Sequence, residues 1–118
     1  MTEDMQGVLV SLQQELRRGA IVLCVLSLLS KPRYGYALVE HLEKSGMPVE
    51  PGTLYPLLRR LEKQGLLTSE WETSGPKPRK YYVMSETGRE VYRLLLMDWA
   101  AMQAAINDLI REGENHEP

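Results

Sequence analysis

A cluster of side chains in the middle of the chain, Thr53, Tyr55, Pro56, Arg59, Arg60 and Lys63, is of the types that bind nucleic acid. It shares one short stretch with a leucine stripe: Leu54, Leu57, Leu58 and Leu61 recur at i, i+3, i+4 and i+7. With Leu54 at 0° and ~100° per residue, the other three leucines fall within about 60° of it. Gly52, Pro56, Arg59 and Lys63 lie near the opposite pole, flanked by Thr53, Tyr55 and Arg60. An arginine makes paired hydrogen bonds to guanine, tyrosine and threonine hydroxyls bind bases or phosphates, and lysine neutralises phosphate. A solvated helix face carries the same residue types, so the helix alone does not decide. A second basic group, Lys77, Arg79 and Lys80, lies in a stretch with no acid between Glu72 and Glu86 and tips the balance toward nucleic acid.

The net charge of −2 conceals a division along the chain. Residues 1–54 carry five Lys/Arg against six Asp/Glu, residues 55–93 eight against five, and residues 94–118 one against five. The basic surplus thus coincides with the candidate residues, which lets an acidic protein present one basic face.

These residues need a scaffold. From about Val8, apolar residues recur at helical spacing and then run almost continuously to Ser30, which predicts one first helix buried toward its C-terminal half. Tyr34, Ala37, Leu38, Val39 and Leu42 mark a short second helix ending near Ser45-Gly46. The leucine stripe makes a third helix that Gly65 ends, with Thr53 as the expected N-cap and Pro56 in the first turn; were the helix to start earlier, Pro56 would press on the Gly52 carbonyl and strain that start. Two β-rich stretches, Leu67 to Thr73 and Arg79 to Met84, flank a Gly/Pro loop and predict a hairpin with a protruding basic tip. Ser85 caps a last helix running to about Arg111, roughly 40 Å long. Along it Val91, Leu95, Trp99, Met102, Ile106 and Leu109 form a stripe too wide for one small domain.

The order helix, helix, helix, hairpin is that of a winged helix-turn-helix, whose third helix enters the major groove while the hairpin reaches an adjacent groove or backbone. The expected fold is mainly α, of the α+β kind, with a two-stranded β wing. The expected division is a DNA-binding domain over residues 1–84, a dimerisation helix over 85–112 and a frayed tail over 113–118.

The stretch from Leu28 to Gly88 also resembles the PadR family of transcriptional regulators. The resemblance rests on Tyr34-Gly-Tyr36, on Gly52 to Leu67, on Arg79-Lys-Tyr-Tyr82 and on Ser85-Glu-Thr-Gly88. The single C-terminal helix is similar to that of the family's small subgroup. The resemblance implies a cytoplasmic homodimer, usually a repressor, that binds a pseudo-palindromic double-stranded operator. By it Tyr36, Thr53, Tyr55, Pro56 and Arg59 match DNA-facing positions, and Lys77, Arg79 and Lys80 match the wing. It also implies a sharper role for Trp99. In small multidrug-responsive members a tryptophan at a similar place stacks on flat aromatic ligands between subunits, with Leu95 and Met102 beside it here. The plainer reading makes Trp99 dimer core. Trp71 is expected to pack on the third helix.

Other function classes find little support. His41 and His116 are 75 residues apart and no HExxH or CxxC is present, so neither a catalytic zinc site nor any other cofactor is expected. Cys24 lies in the most apolar run, a setting that makes a thiol inert. Glu40 and Glu43 sit at helical spacing, as on a solvated face. The run from Ala20 to Leu29 is about half the ~20 residues that cross a bilayer, and the acidic start is unlike a secretory signal, so a cytoplasmic protein without membrane contact is expected. The alternative from another class is a winged helix serving as a protein-interaction module without DNA binding.

Overall fold

The computed structural model describes residues 2–115. Its first helix, α1 (Glu3–Arg18), is capped by the Thr2 hydroxyl, which accepts from the Met5 N–H at 3.1 Å. Acids stand in its first turn and Arg17 and Arg18 in its last, both favourable to the helix dipole. The single first helix read from the sequence is in fact two: the chain breaks at Gly19 and resumes as α2 (Ile21–Leu28). Glycine is the weakest helix former after proline, and here it separates two surfaces. Val25 and Leu26 of α2 enter the core, while α1 buries no residue.

A two-residue strand, β1 (Arg33–Tyr34), leads into α3 (Gly35–Lys44). A tight turn follows, then α4 (Pro51–Lys63), the hairpin strands β2 (Leu67–Glu72) and β3 (Arg79–Met84), and α5 (Glu86–Glu114). Both helices of the helix-turn-helix end on a glycine with positive φ, Gly46 at 85° and Gly65 at 83°. Met47 N–H then donates to the Leu42 carbonyl and Leu66 N–H to that of Leu61, each at 2.9 Å, which satisfies the orphan carbonyls and turns the chain sharply.

The sequence places the start of α4 at Thr53, but Glu50 is the N-cap and Pro51 the first helical residue. Proline fits that position because its missing N–H would have no partner there. Thr53 therefore stands inside the first turn and Pro56 within the helix. The sheet has three strands in the order β1-β3-β2, all antiparallel, one more than the predicted two-stranded wing, because Arg33 and Tyr34 pair with Tyr82 and Tyr81. Such a two-residue strand is too short to carry an alternating pattern.

Leu26, Leu29, Leu38, Leu42, Leu54, Leu58 and Leu61, with Val25, make the buried centre, closed on the sheet side by Leu67, Tyr82 and Met84. The join to α5 is tightly tied. Ser85 Oγ donates to the Gly65 carbonyl at 2.7 Å and accepts from Gly88 N–H at 2.9 Å, and Arg89 donates to the Ser30 carbonyl at 3.0 Å. A Cβ on Gly88 would lie 2.0 Å from the Leu66 carbonyl oxygen, so the helix crosses there at a distance only glycine permits.

Beyond that join α5 leaves the domain. At 1.5 Å per residue its 29 residues span about 43 Å. The radius of gyration, 17.9 Å, exceeds the ~13.5 Å of a compact chain of this length because α1 and α5 project. The helix takes in Gly113 and Glu114, which the sequence assigns to the frayed tail. Residues 116–118 of that tail, His116 included, lie outside the described residues.

Candidate nucleic-acid interface

The leucine stripe does position the polar face of α4. Leu54, Leu58 and Leu61 are buried and Leu57 half-buried, which turns Gly52, Thr53, Pro56, Arg59, Arg60 and Lys63 to the surface. Tyr55 departs from that face. Its ring is half-buried against α3, where a Cβ on Gly35 would come 2.6 Å from the Tyr55 Cε1 atom. The Tyr34-Gly-Tyr36 sequence is thus explained locally, since a larger residue at Gly35 would displace the Tyr55 ring. Tyr36, the next residue along, is 49% exposed at the start of α3.

The wing is less uniformly basic than its sequence implies. Lys77 is exposed at the tip, but Arg79 and Lys80, being successive strand residues, point to opposite faces. Lys80 faces α4: its Nζ is 3.6 Å from Glu62, 5.8 Å from the centre of the Trp71 ring and 5.4 Å from that of Tyr82. Glu62 also accepts from the Ser69 hydroxyl at 2.5 Å. These contacts lean the hairpin on α4 and partly neutralise Lys80, although an ion pair this exposed contributes little stability.

On the opposite face the Arg79 guanidinium sits 4.4 Å from the centre of the Tyr34 ring, and that ring stacks on Tyr36 at 5.8 Å and 5°. Tyr81 meets Tyr34 edge-on at 6.0 Å and donates its hydroxyl to Glu70 at 2.8 Å. That bond raises the Tyr81 pKa above the usual phenol value, because losing the proton would set two negative charges together. The ladder places Glu72 opposite Arg79. The Glu72 carboxylate accepts from the Ser74 hydroxyl and, less strongly, its N–H, which hold its pKa below the usual carboxylate range; nearby Arg79 adds to this. The acid-free interval in the sequence is therefore bounded, in space, by carboxylates of the facing strand. Sequence reasoning missed Tyr34, Glu62 and Tyr81, because a contact between strands leaves no periodic mark along the chain.

Trp71 does not pack on α4 as expected. It is 61% exposed, and its cross-strand partner Lys80, 5.8 Å from the ring centre, reaches Glu62 of α4 in its place.

On α5, Leu95 packs against the core of its own domain and Val91 is half-buried, so these two are partly used within the protomer. Trp99, Met102, Ile106 and Leu109 stand open, joined by Leu94, Met97 and Ile110. The exposed apolar residues of α1, among them Met5, Val8, Leu9, Leu12 and Leu16, form a second open face, in the part of the predicted first helix that precedes its buried C-terminal half. A cleft of about 570 Å³ lies among α1, α3 and the start of α4, lined by Arg17, Arg18, Val39, Glu50 and Thr53 and not by Trp99. Cys24 is half-buried, and burial pushes its thiol pKa up, away from reactivity. Among the described residues no helix is long and apolar enough to cross a membrane, and no group of three or more His, Cys, Asp or Glu is placed to hold a metal.

Comparison with known proteins agrees with this architecture. A PadR family regulator from Eggerthella lenta has a crystal structure that superposes with a TM-score of 0.88 at 46% identity, over 92% of this chain and 97% of that one. A transcriptional regulator of Mycobacterium tuberculosis is 33% identical over 104 residues, 87% of this chain and 94% of its own length. The structure of Bacillus subtilis PadR in complex with operator DNA shares the fold at a TM-score of 0.60 and 23% identity, over 64% of this chain and 46% of that one. Residues 22–94 match the family described as Transcriptional regulator PadR-like, and with relatives this similar the chain belongs to that family of transcriptional regulators.

Proposed function

We propose that the protein is a sequence-specific, ligand-responsive repressor that binds a pseudo-palindromic operator as a homodimer in the cytoplasm. The observation that carries the reading is the exposed face of α4, with Thr53, Pro56, Arg59 and Lys63 open to solvent, as are Tyr36 at the start of α3 and the wing residues Lys77 and Arg79. Arg59 has the reach and donor geometry for a base edge, and Lys63 and Lys77 suit phosphates. The operator-bound relative supports this use of the fold. Tyr55 serves chiefly to seat α4 on α3, and Lys80 to hold the wing.

The open apolar faces of α1 and α5 support assembly. A second copy covers Trp99, Met102, Ile106 and Leu109, with α1 contributing Leu9, Leu12 and Leu16. Two-fold symmetry brings the Trp99 side chains of the two subunits toward each other, which makes a slot for a planar aromatic effector, with Met102 as an adaptable wall.

The test is fluorescence anisotropy on a labelled duplex titrated with salt, followed by selection of the preferred sequence from a random pool. Log affinity falling linearly with log salt, and a selected site with two symmetric halves about 34 to 36 Å apart or a multiple of it, are expected. A protein-interaction module would show no salt-sensitive duplex binding.

A further inference from the structure

Arg79 is the wing residue whose placement is least expected. In the ladder it lies opposite Glu72, the neighbour with which an arginine would ordinarily pair. Among the described residues the ion pairs are Lys80 with Glu62, Arg93 with Glu90 and Arg111 with Asp108, and Arg79 takes part in none of them. Its guanidinium turns instead onto the face of Tyr34. The two arrangements differ chemically. A carboxylate would occupy the N–H donors, whereas a ring face holds the cation through its quadrupole and leaves the N–H edge free.

Tyr34 is itself firmly held. Its backbone pairs with Tyr81 across β1 and β3, its ring is braced by the edge of Tyr81, and the Tyr81 hydroxyl is fixed by Glu70. The other occupant of the stack is Tyr36, so one ring gathers a residue of the wing and a residue at the start of α3. From the two separations, Arg79 Cζ and the Tyr36 ring centre are no more than about 10 Å apart, a span covered by two or three phosphates of one strand. A long, flexible arginine held in place before binding loses less freedom when it meets its target.

We propose that Tyr34 is a positioning residue for DNA binding: its ring holds the Arg79 guanidinium and the Tyr36 ring in one stack, so that wing and helix-turn-helix meet the same stretch of phosphate backbone together. This rests on the DNA-binding reading, and the two can be tested apart. The probe is a fluorescein-labelled duplex about three helical turns long, and absence of salt-sensitive binding by the unaltered protein overturns the DNA reading before any variant is made. Given binding, Tyr34→Leu weakens it about two- to fivefold for each reading head and lowers the salt slope toward that of Arg79→Ala. Tyr34→Phe, which keeps the ring, stays within about twofold of wild type. The double variant Tyr34→Leu/Arg79→Ala loses less than the product of the two single losses, the remainder being the hold on Tyr36 that Tyr34 also supplies. Losses that multiply, or a wild-type salt slope in a folded Tyr34→Leu, overturn the proposal. So does a wild-type NMR spectrum in which the Arg79 side-chain protons lack an upfield ring-current shift, a measurement that requires no variant to fold.

Discussion

Ile106→Asp is the most direct test of the proposed assembly, because Ile106 lies beyond the residues of α5 that touch the domain and its loss leaves the monomer intact. Trp99, Met102, Ile106 and Leu109 are 41 to 66% exposed, about two whole side chains of apolar surface per protomer. At ~1.5 to 3 kcal/mol for a fully buried side chain, covering this seam on both subunits gains at most ~6 to 12 kcal/mol. Association itself costs an estimated ~4 to 15 kcal/mol. The α5 seam alone thus stands near balance, so the proposed dimer calls on the open face of α1 as well. Ile106 is 46% exposed, so removing it from both subunits forfeits ~1.5 to 3 kcal/mol. Each aspartate also brings an unpaired carboxylate into an apolar seam, at several kcal/mol more. A total of at least ~5 kcal/mol weakens the dimer by more than ~1000-fold. Sedimentation velocity at micromolar concentration should then show wild-type dimer and variant monomer, with circular dichroism confirming equal helix content. A variant still dimeric at that concentration, or a monomeric wild type, refutes the reasoning.

Further outcomes follow from the same geometry. Arg59→Ala is expected to cost ~1 to 3 kcal/mol on the selected site and to narrow its advantage over random duplex, whereas Lys77→Ala should weaken both alike and lower the salt slope by about one per contact; competition anisotropy separates the two. Gly88→Ala forces a methyl group onto the Leu66 carbonyl and should lower stability by ~2 to 3 kcal/mol, about 10 °C in melting temperature. Gly113→Ala, with nothing within 4 Å of the added carbon, should leave the melt unchanged or slightly raised. Trp99→Ala is expected to abolish quenching by planar aromatic dyes while operator affinity stays within about tenfold, the residue lying outside the reading head. Quenching that persists in Trp99→Phe and vanishes in Trp71→Phe places the dye on the wing instead.

What was legible in the sequence, and what was not, divides along a physical line. Helix stripes and stop signals are local, so the leucine pattern of α4, the glycine endings at Gly46 and Gly65 and the Ser85 cap could be read directly. The element order then gave the winged helix-turn-helix, and the resemblance of Tyr34 to Tyr36 and of Gly52 to Leu67 to a known family added the expected DNA-facing positions. The break at Gly19 escaped notice because the apolar spacing continues across it, and only packing tells that α1 and α2 face different neighbours. The start of α4 was misplaced because Thr53 is a good cap in isolation, yet Pro51 sets the first turn earlier. The charge of the wing was overcounted because pairing register, invisible along the chain, sets Glu72 opposite Arg79 and brings Glu62 to Lys80.

The join between wing and α5 bears on how a ligand at Trp99 would reach DNA. Trp99 lies eleven residues beyond Gly88, about 16 Å along a helix whose base is clamped to Leu66, Gly65 and Ser30. A helix fixed at its root and free beyond it carries its reading head as a rigid arm, so a small change in the angle between two such helices becomes a change in the spacing of the two α4 helices. A flat molecule between the proposed tryptophan pair acts on DNA binding only to the extent that it prefers one such angle. The reciprocal must hold: operator DNA alters dye affinity by the same factor that the dye alters operator affinity. Titrating dye in the presence and absence of saturating operator measures that factor. A factor of one, with dye bound at Trp99, would make the slot a binding site without regulatory consequence.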